Sequence, residues 1–177
     1  MANPSPKTQI PSQSQNEFKK YTVEMVVVTR LYAPHLSSVE FIKKKEIKEI
    51  IECYKKDGGL TEEDLEALTH LDRGFPRDIM CRPYLSVAPI SGALREIAPD
   101  AIVRGEPIIL PKDRIAIEVK TTPKYRMMSE YLEPVRLQFT AIARLPKDLE
   151  NKPLQLKIGG GSAKGYGLSI LTFKPEQ

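Results

Sequence analysis

The sequence contains no tryptophan, only two cysteines and two histidines among 177 residues, and an aromatic share of 7%. Cys53 and Cys81 are too few and too widely separated in sequence to imply a disulfide framework. Together with two lone histidines they do not complete a zinc site, so neither a metal site nor any other cofactor is expected. This cysteine usage reads as a reducing, cytoplasmic setting, with Cys53 in the core. Long hydrophobic runs are missing too. No apolar stretch approaches a membrane span, and the first residues lack the basic-then-apolar order of a secretory signal, so no membrane partner is expected. An excess of one charge is nearly absent, since 27 Lys and Arg against 23 Asp and Glu leave +4. That permits contact with a polyanion without requiring it.

What is present fits one globular domain, with 41% hydrophobic and 28% charged residues. The opening "MANPSPKTQIPSQSQNE", residues 1–17, holds almost nothing to bury and reads as a disordered tail, which leaves residues 18–177 for the domain. "YTVEMVVVTRLY", from Tyr21 to Tyr32, has the β-branched and aromatic composition of one buried strand. Val39, Ile42, Ile47, Ile50, Ile51 and Tyr54 recur at helical spacing, and Gly58 and Gly59 stop the helix they predict. Thr61 followed by Asp64 predicts a capped start for a second, shorter helix, "TEEDLEALTHL". His70, at the end of that helix, is placed to interact with its last carbonyls. The two helices form a helical insertion over about 39–71.

Further on, "AIVRGEPIIL" reads as a hairpin around Arg104 and Gly105, and Ile115 to Lys120 as a strand with one wet face. "TTPKYRMMSEY" reads as an exposed hairpin tip, because Pro123 interrupts the strand. Val135, Leu137, Phe139, Ala141 and Ala143 alternate with polar residues, which is the pattern of a half-buried strand, and Leu168 to Phe173 supplies a last one. Mixed elements without repeated βα units predict an α+β fold, a sheet with helices on one face.

Five of the ten glycines fall within residues 159–167, in "IGGGSAKGYG". Glycines allow positive φ and close backbone approach, so this loop either converges its N–H groups on an anion, with Lys164 adding charge, or is a tight turn without a ligand. A Walker-type phosphate loop does not fit, because Lys164 precedes Gly165 and a strand follows. Nor does a dinucleotide loop, which would open an N-terminal βαβ unit.

"IGGGSAKGYG" resembles the glycine-rich loop of the RAMP superfamily, the repeat-associated proteins of CRISPR effector complexes. Its short spacer is closer to that of the type III backbone subunits than to that of the repeat endonucleases. "PYLSVAPISGALRE", Pro83 to Glu96, is similar to a second segment of those subunits, through Pro83, Tyr84, Gly92, Ala93, Leu94, Arg95 and Glu96. "YLEPVRLQFTAIARL" resembles the strand before the loop, so the likeness spans Tyr21 to Phe173.

The resemblance implies a single ferredoxin-like, RRM-related domain that contacts guide RNA. The family's serines and lysine in the second segment hold RNA phosphates, and here those positions are Ala88, Pro89 and Ser91. Ser91 is left as a donor, with charge from Arg82 and Arg95, although Arg95 fits a helix cap or a surface ion pair equally well. The loop adds Lys157, Gly159, Gly160, Gly161, Ser162, Lys164, Gly165 and Tyr166, and the hairpin tip adds Lys124, Tyr125 and Arg126. Tyr125 and Tyr166 are candidates for base stacking, or Tyr166 is a wedge beneath the loop.

Family members that cut target RNA carry an aspartate after the first strand, whereas "LYAPHLSSVE" offers only His35 and Glu40. His35 is the one catalytic candidate, as a base for a 2′-hydroxyl proton, though a histidine beside proline is equally a turn residue. The expectation is therefore a non-catalytic subunit of a CRISPR ribonucleoprotein. Its partners would be guide RNA, other effector subunits and further copies of the chain. The alternatives are a metal-independent repeat ribonuclease using His35 and a purely structural subunit.

Overall fold

The computed structural model describes residues 17–121, 123–124, 126–160 and 165–177. The expected tail, apart from Glu17, lies outside them. The chain is a mixed α+β protein whose main element is a five-stranded antiparallel sheet. Its central strand is β1 (Phe18–Val27), flanked by β9 (Val135–Arg144) and β11 (Leu168–Pro175). β5 (Ile102–Arg104) pairs outside β9, and β10 (Leu154–Lys157) outside β11.

Alternation fixes the register. Tyr21, Val23, Met25 and Val27 are fully buried, opposite Ala141, Phe139, Leu137 and Val135 on one side and Pro175, Phe173, Leu171 and Ser169 on the other. Each large side chain so buried stabilises the fold by roughly 1.5–3 kcal/mol, and a one-residue slip would turn the whole set toward water. Helix α3 (Ala88–Leu94) covers this inner face with Ile90 and Leu94 and lies against β5 and β10.

A second, smaller sheet is centred on β8 (Arg126–Leu132). The strand β7 (Ile115–Thr121) forms a hairpin with it, and the short β2 (Leu31–Tyr32) and β3 (Leu71–Arg73) pair along its other edge. Helix α1 (Glu40–Asp57) and helix α2 (Glu62–Ala67) pack behind this sheet, where Ile47, Ile50, Leu68, Leu71 and Met128 form a separate apolar cluster. The helices are thus shared between two sheets and do not all lie on one face.

Several sequence expectations hold. Thr61 and Asp64 make a reciprocal capping box at the start of α2, and Gly58, at φ 75°, ends α1. The hairpin around Pro123 and the half-buried alternation of β9 are present. Others need correction. "YTVEMVVVTRLY" is not one strand: Thr29 donates to the Gly165 carbonyl and accepts from the Leu168 amide, and the chain then crosses to the second sheet as β2. Arg104 and Gly105 do not form a hairpin, because β5 pairs with β9 while β6 (Ile108–Ile109) pairs with β4 (Tyr84–Leu85). Val39 and Ile42 face water although they continue the helical apolar spacing.

The cysteines are the largest correction. Cys53 on α1 and Cys81 in the 78–82 turn form a disulfide with a Cα–Cα distance of 5.3 Å. Separation in sequence does not limit separation in space, and a turn in which Asp78 accepts from the Met80 and Arg82 amides carries Cys81, at φ 62°, back to the helix. With the pair joined, cysteine usage gives no support to a reducing compartment. Among the described residues no helix is long and apolar enough to cross a membrane.

Candidate functional site

The register of the second sheet collects polar and aromatic side chains on one face. Met127, Ser129 and Tyr131 alternate along β8. Lys120, Glu118 and Ala116 of β7 lie opposite them, while Tyr32 pairs with Tyr131 and Arg73 with Ser129. The glycine loop covers this face from the main sheet, bringing Gly160 and Tyr166 over it. Between them lies a cleft of about 170 Å³, lined by Tyr32, Arg73, Glu118, Lys120, Met127, Ser129, Gly160 and Tyr166.

The loop's glycines are there for close approach. A Cβ at Gly160 would fall within 2.6 Å of the Arg73 guanidinium, one at Gly159 (φ 82°) would meet the Tyr32 carbonyl, and one at Gly167 (φ 76°) would collide with the Ile158 carbonyl. The backbone is tied down on both sides, as Gly167 N–H donates to Arg30 and Ile158 N–H donates to Gly167. Gly165, at φ 87°, has open space instead. Gly161, Ser162 and Lys164 lie outside the described residues, as does Tyr125.

Aromatic rings and cations interleave around the cleft. Tyr32 meets Tyr166 edge-on at 5.1 Å between centroids and Tyr131 at 5.8 Å, and the Arg30 guanidinium lies 4.3 Å from the centre of the Tyr131 ring. The Tyr32 hydroxyl donates to Glu118, which also pairs with Arg30 at 3.3 Å and Lys120 at 3.6 Å. Burial opposes the Glu118 charge, but the Tyr32 bond, Lys120 and Arg30 outweigh it and hold the carboxyl below its ordinary value. Burial, reinforced by Glu118, raises Tyr32. Arg73 donates to the Ala33 carbonyl at 3.1 Å and to His35 Nε2 at 2.7 Å; a guanidinium has no lone pair to offer, so the ring nitrogen accepts.

Behind the cleft, on the opposite face of β8, Glu130 is fully buried and bound bidentately by Arg77 at 2.9 and 2.6 Å. It also accepts from the Tyr54 hydroxyl and the Phe75 amide. Burial first, and the Glu130 charge second, raise Tyr54. This network anchors α1 and the 74–77 segment to the strand that carries Ser129.

The expected site residues divide. Gly159, Gly160 and Tyr166 belong to the cleft or its rim, with Tyr166 half-buried against Tyr32 as a wedge, and exposed Gly165 receives the Thr29 hydroxyl. Ser91 is 7% exposed, and its Oγ receives the Val103 amide. Arg82 pairs with Asp78 in its own turn, and Arg95 donates to the Ala101 carbonyl. Lys157 is exposed on β10, and Lys124 and Arg126 are exposed at the hairpin tip. Arg30, Tyr32, Arg73, Glu118, Lys120, Ser129 and Tyr131 escaped the sequence reading. The alternation of β7 and β8 would have aligned Glu118, Lys120 and Ser129, whereas three-residue β3 carries no periodic signal for Arg73.

Among the described residues no three His, Cys, Asp or Glu side chains gather as a metal site would need. A wider furrow of about 810 Å³ runs between α1 and α2. Its lysines and glutamates balance and do not converge on a point. No family model and no curated protein matches the chain.

Proposed function

We propose that the protein is a non-catalytic, RNA-associated subunit of a CRISPR effector ribonucleoprotein, holding its RNA mainly through the phosphate backbone. The observation that carries this reading is the cleft under the glycine loop, where Arg73 and Lys120 stand with Tyr32 and Tyr166, backed by Tyr131 against Tyr32 and Arg30 over the Tyr131 ring. Cations beside ring faces suit single-stranded nucleic acid. Two further features support it. The order β11-β1-β9-β5, antiparallel throughout, is that of a ferredoxin-like sheet, although a 3₁₀ turn at Lys147–Leu149 and β10 stand where its second helix would be. The outward face of that sheet also exposes Arg104, Arg136 and Lys157.

The test is RNA affinity as a function of salt. Single-stranded RNA of any sequence should bind, with log affinity falling by about 0.7 per log salt for each phosphate neutralised. Absence of binding at low salt would favour the purely structural subunit. The contact of His35 with Arg73 keeps the ribonuclease alternative in view, because an imidazole beside a guanidinium can serve a scissile phosphate. Repeat RNA should nevertheless stay intact with or without magnesium; cleavage abolished by His35→Ala would replace the proposed reading.

A further inference from the structure

The cleft spans only a short piece of any strand that crosses it, and it is too well furnished for a packing defect. At about 170 Å³ it is below the ~300–1,000 Å³ of pockets that enclose whole drug-sized ligands, so it has room for about one ring system. Its walls are Tyr32, Tyr166 and the Met127 side chain, which suit the faces of a flat ring. Ser129 is the telling member. It is 6% exposed and lines the cleft, yet its hydroxyl has no hydrogen-bond partner among the described residues. That leaves the hydroxyl free to bond a polar ring bound in the cleft.

The polar groups facing the cleft specify what that ring must offer. Ionised Glu118 accepts only and Arg73 donates only, so a ligand that joins or displaces their present partners must offer donors to the first and acceptors to the second. Glu118 lies opposite Ser129 across the β7–β8 pair and Arg73 opposite it across the β3–β8 pair, which sets donor-seeking and acceptor-seeking groups on either side of the free hydroxyl. We propose that this cleft takes one base of the bound RNA, and guanine in preference to the others. Guanine alone presents an amine and a ring N–H side by side toward a carboxylate, together with the O6 and N7 acceptors that arginine recognises. Uracil lacks the amine, and adenine lacks the carbonyl. Cytosine offers a single donor group. Arg30 and Lys120 at the rim are placed for the flanking phosphates. The inference rests on the RNA-binding reading and adds to it a point of base selection.

Two measurements test it, the first on the unaltered chain alone. The first is methyl NMR of the methionines during titration with guanosine monophosphate and uridine monophosphate. Met127 should shift with the guanine nucleotide, while Met25, sealed in the main core, stays still. The second compares oligouridine with the same oligomer carrying one central guanosine, which should bind about tenfold more tightly. Glu118→Gln and Ser129→Ala should each bring that ratio close to one. Equal affinity for the two oligomers with an unmoved Met127 overturns the base pocket and leaves RNA binding intact. A preference that survives both substitutions overturns it as well. If neither oligomer binds but guanosine monophosphate moves Met127, the pocket stands and the RNA-subunit reading falls. If nothing binds and nothing moves, both fall.

Discussion

Arg77 and Glu130 bear opposite charges in a place where neither is tolerable alone. Their bidentate contact, with Tyr54 and the Phe75 amide completing the carboxylate, lies in the buried layer between α1 and β8. Arg77→Met should therefore strand a buried carboxylate and lower stability by about 3–5 kcal/mol in urea unfolding; a loss below 1 kcal/mol would mean that water reaches Glu130. The loop glycines give a second comparison. Gly165→Ala meets open space and should cost only about 1 kcal/mol for its positive φ, whereas Gly167→Ala drives a Cβ into the Ile158 carbonyl and should cost clearly more. Equal melting temperatures for the two variants would contradict that geometry. Glu118 makes stability depend on acid. Its folded-state pKa lies below the ordinary 4.5, so its stabilisation is complete above that value and is lost as pH falls through the folded one. The stability gap between the parent and Glu118→Gln should thus shrink on acidification. A constant gap from neutral to strongly acidic pH would show that the Tyr32, Arg30 and Lys120 contacts contribute nothing.

Among the elements, those with local signals were legible in the sequence and those fixed by distant partners were not. The Thr61 box, the Gly58 stop and the alternation of β9 need only neighbouring residues, and all are where the sequence puts them. The break after β1 has no glycine or proline to announce it. It exists because the Thr29 hydroxyl reaches the glycine loop well over a hundred residues away. β5 and β6 imitate a hairpin because both flank a Gly-containing turn, but each finds its partner elsewhere. The candidate site shows the same division: the glycine loop and the alternation of β7 and β8 carry local signals, whereas Arg73 arrives through a parallel pairing between β3 and β8 that no local pattern encodes. The disulfide belongs to this second class. It closes a loop of 28 residues' separation between α1 and the 78–82 turn, which corresponds to roughly 3–4 kcal/mol in the chain-entropy account. Reduction should lower the melting temperature by on the order of 10 °C. Indifference to reductant would place the stability of that turn in the Arg77 and Asp78 contacts alone.

For the molecule as a whole, the two sheets bring two cores of unequal size. The main cluster spans β1, β9, β10, β11 and α3, while the smaller one holds Ile47, Ile50, Leu68, Leu71 and Met128. Opening free energy follows buried apolar contact, so amides of α1 and α2 should exchange with solvent through partial openings, and those of β1 and β9 only through global unfolding. Uniform protection across both would show that the Arg77–Glu130 pair and the disulfide fuse the cores into one unit. The central place of β1 also sets an order of events at the ribosome. Glu24 on β1 finds Lys174 on β11 at a separation of 150 residues. At ~5–20 residues per second, a nascent chain carries β1 for roughly 8–30 s before that flank can close. Through that interval β1, which supplies Tyr21, Val23, Met25 and Val27 to the core, has at least one bare edge, and it is there that a chaperone would find the newborn chain.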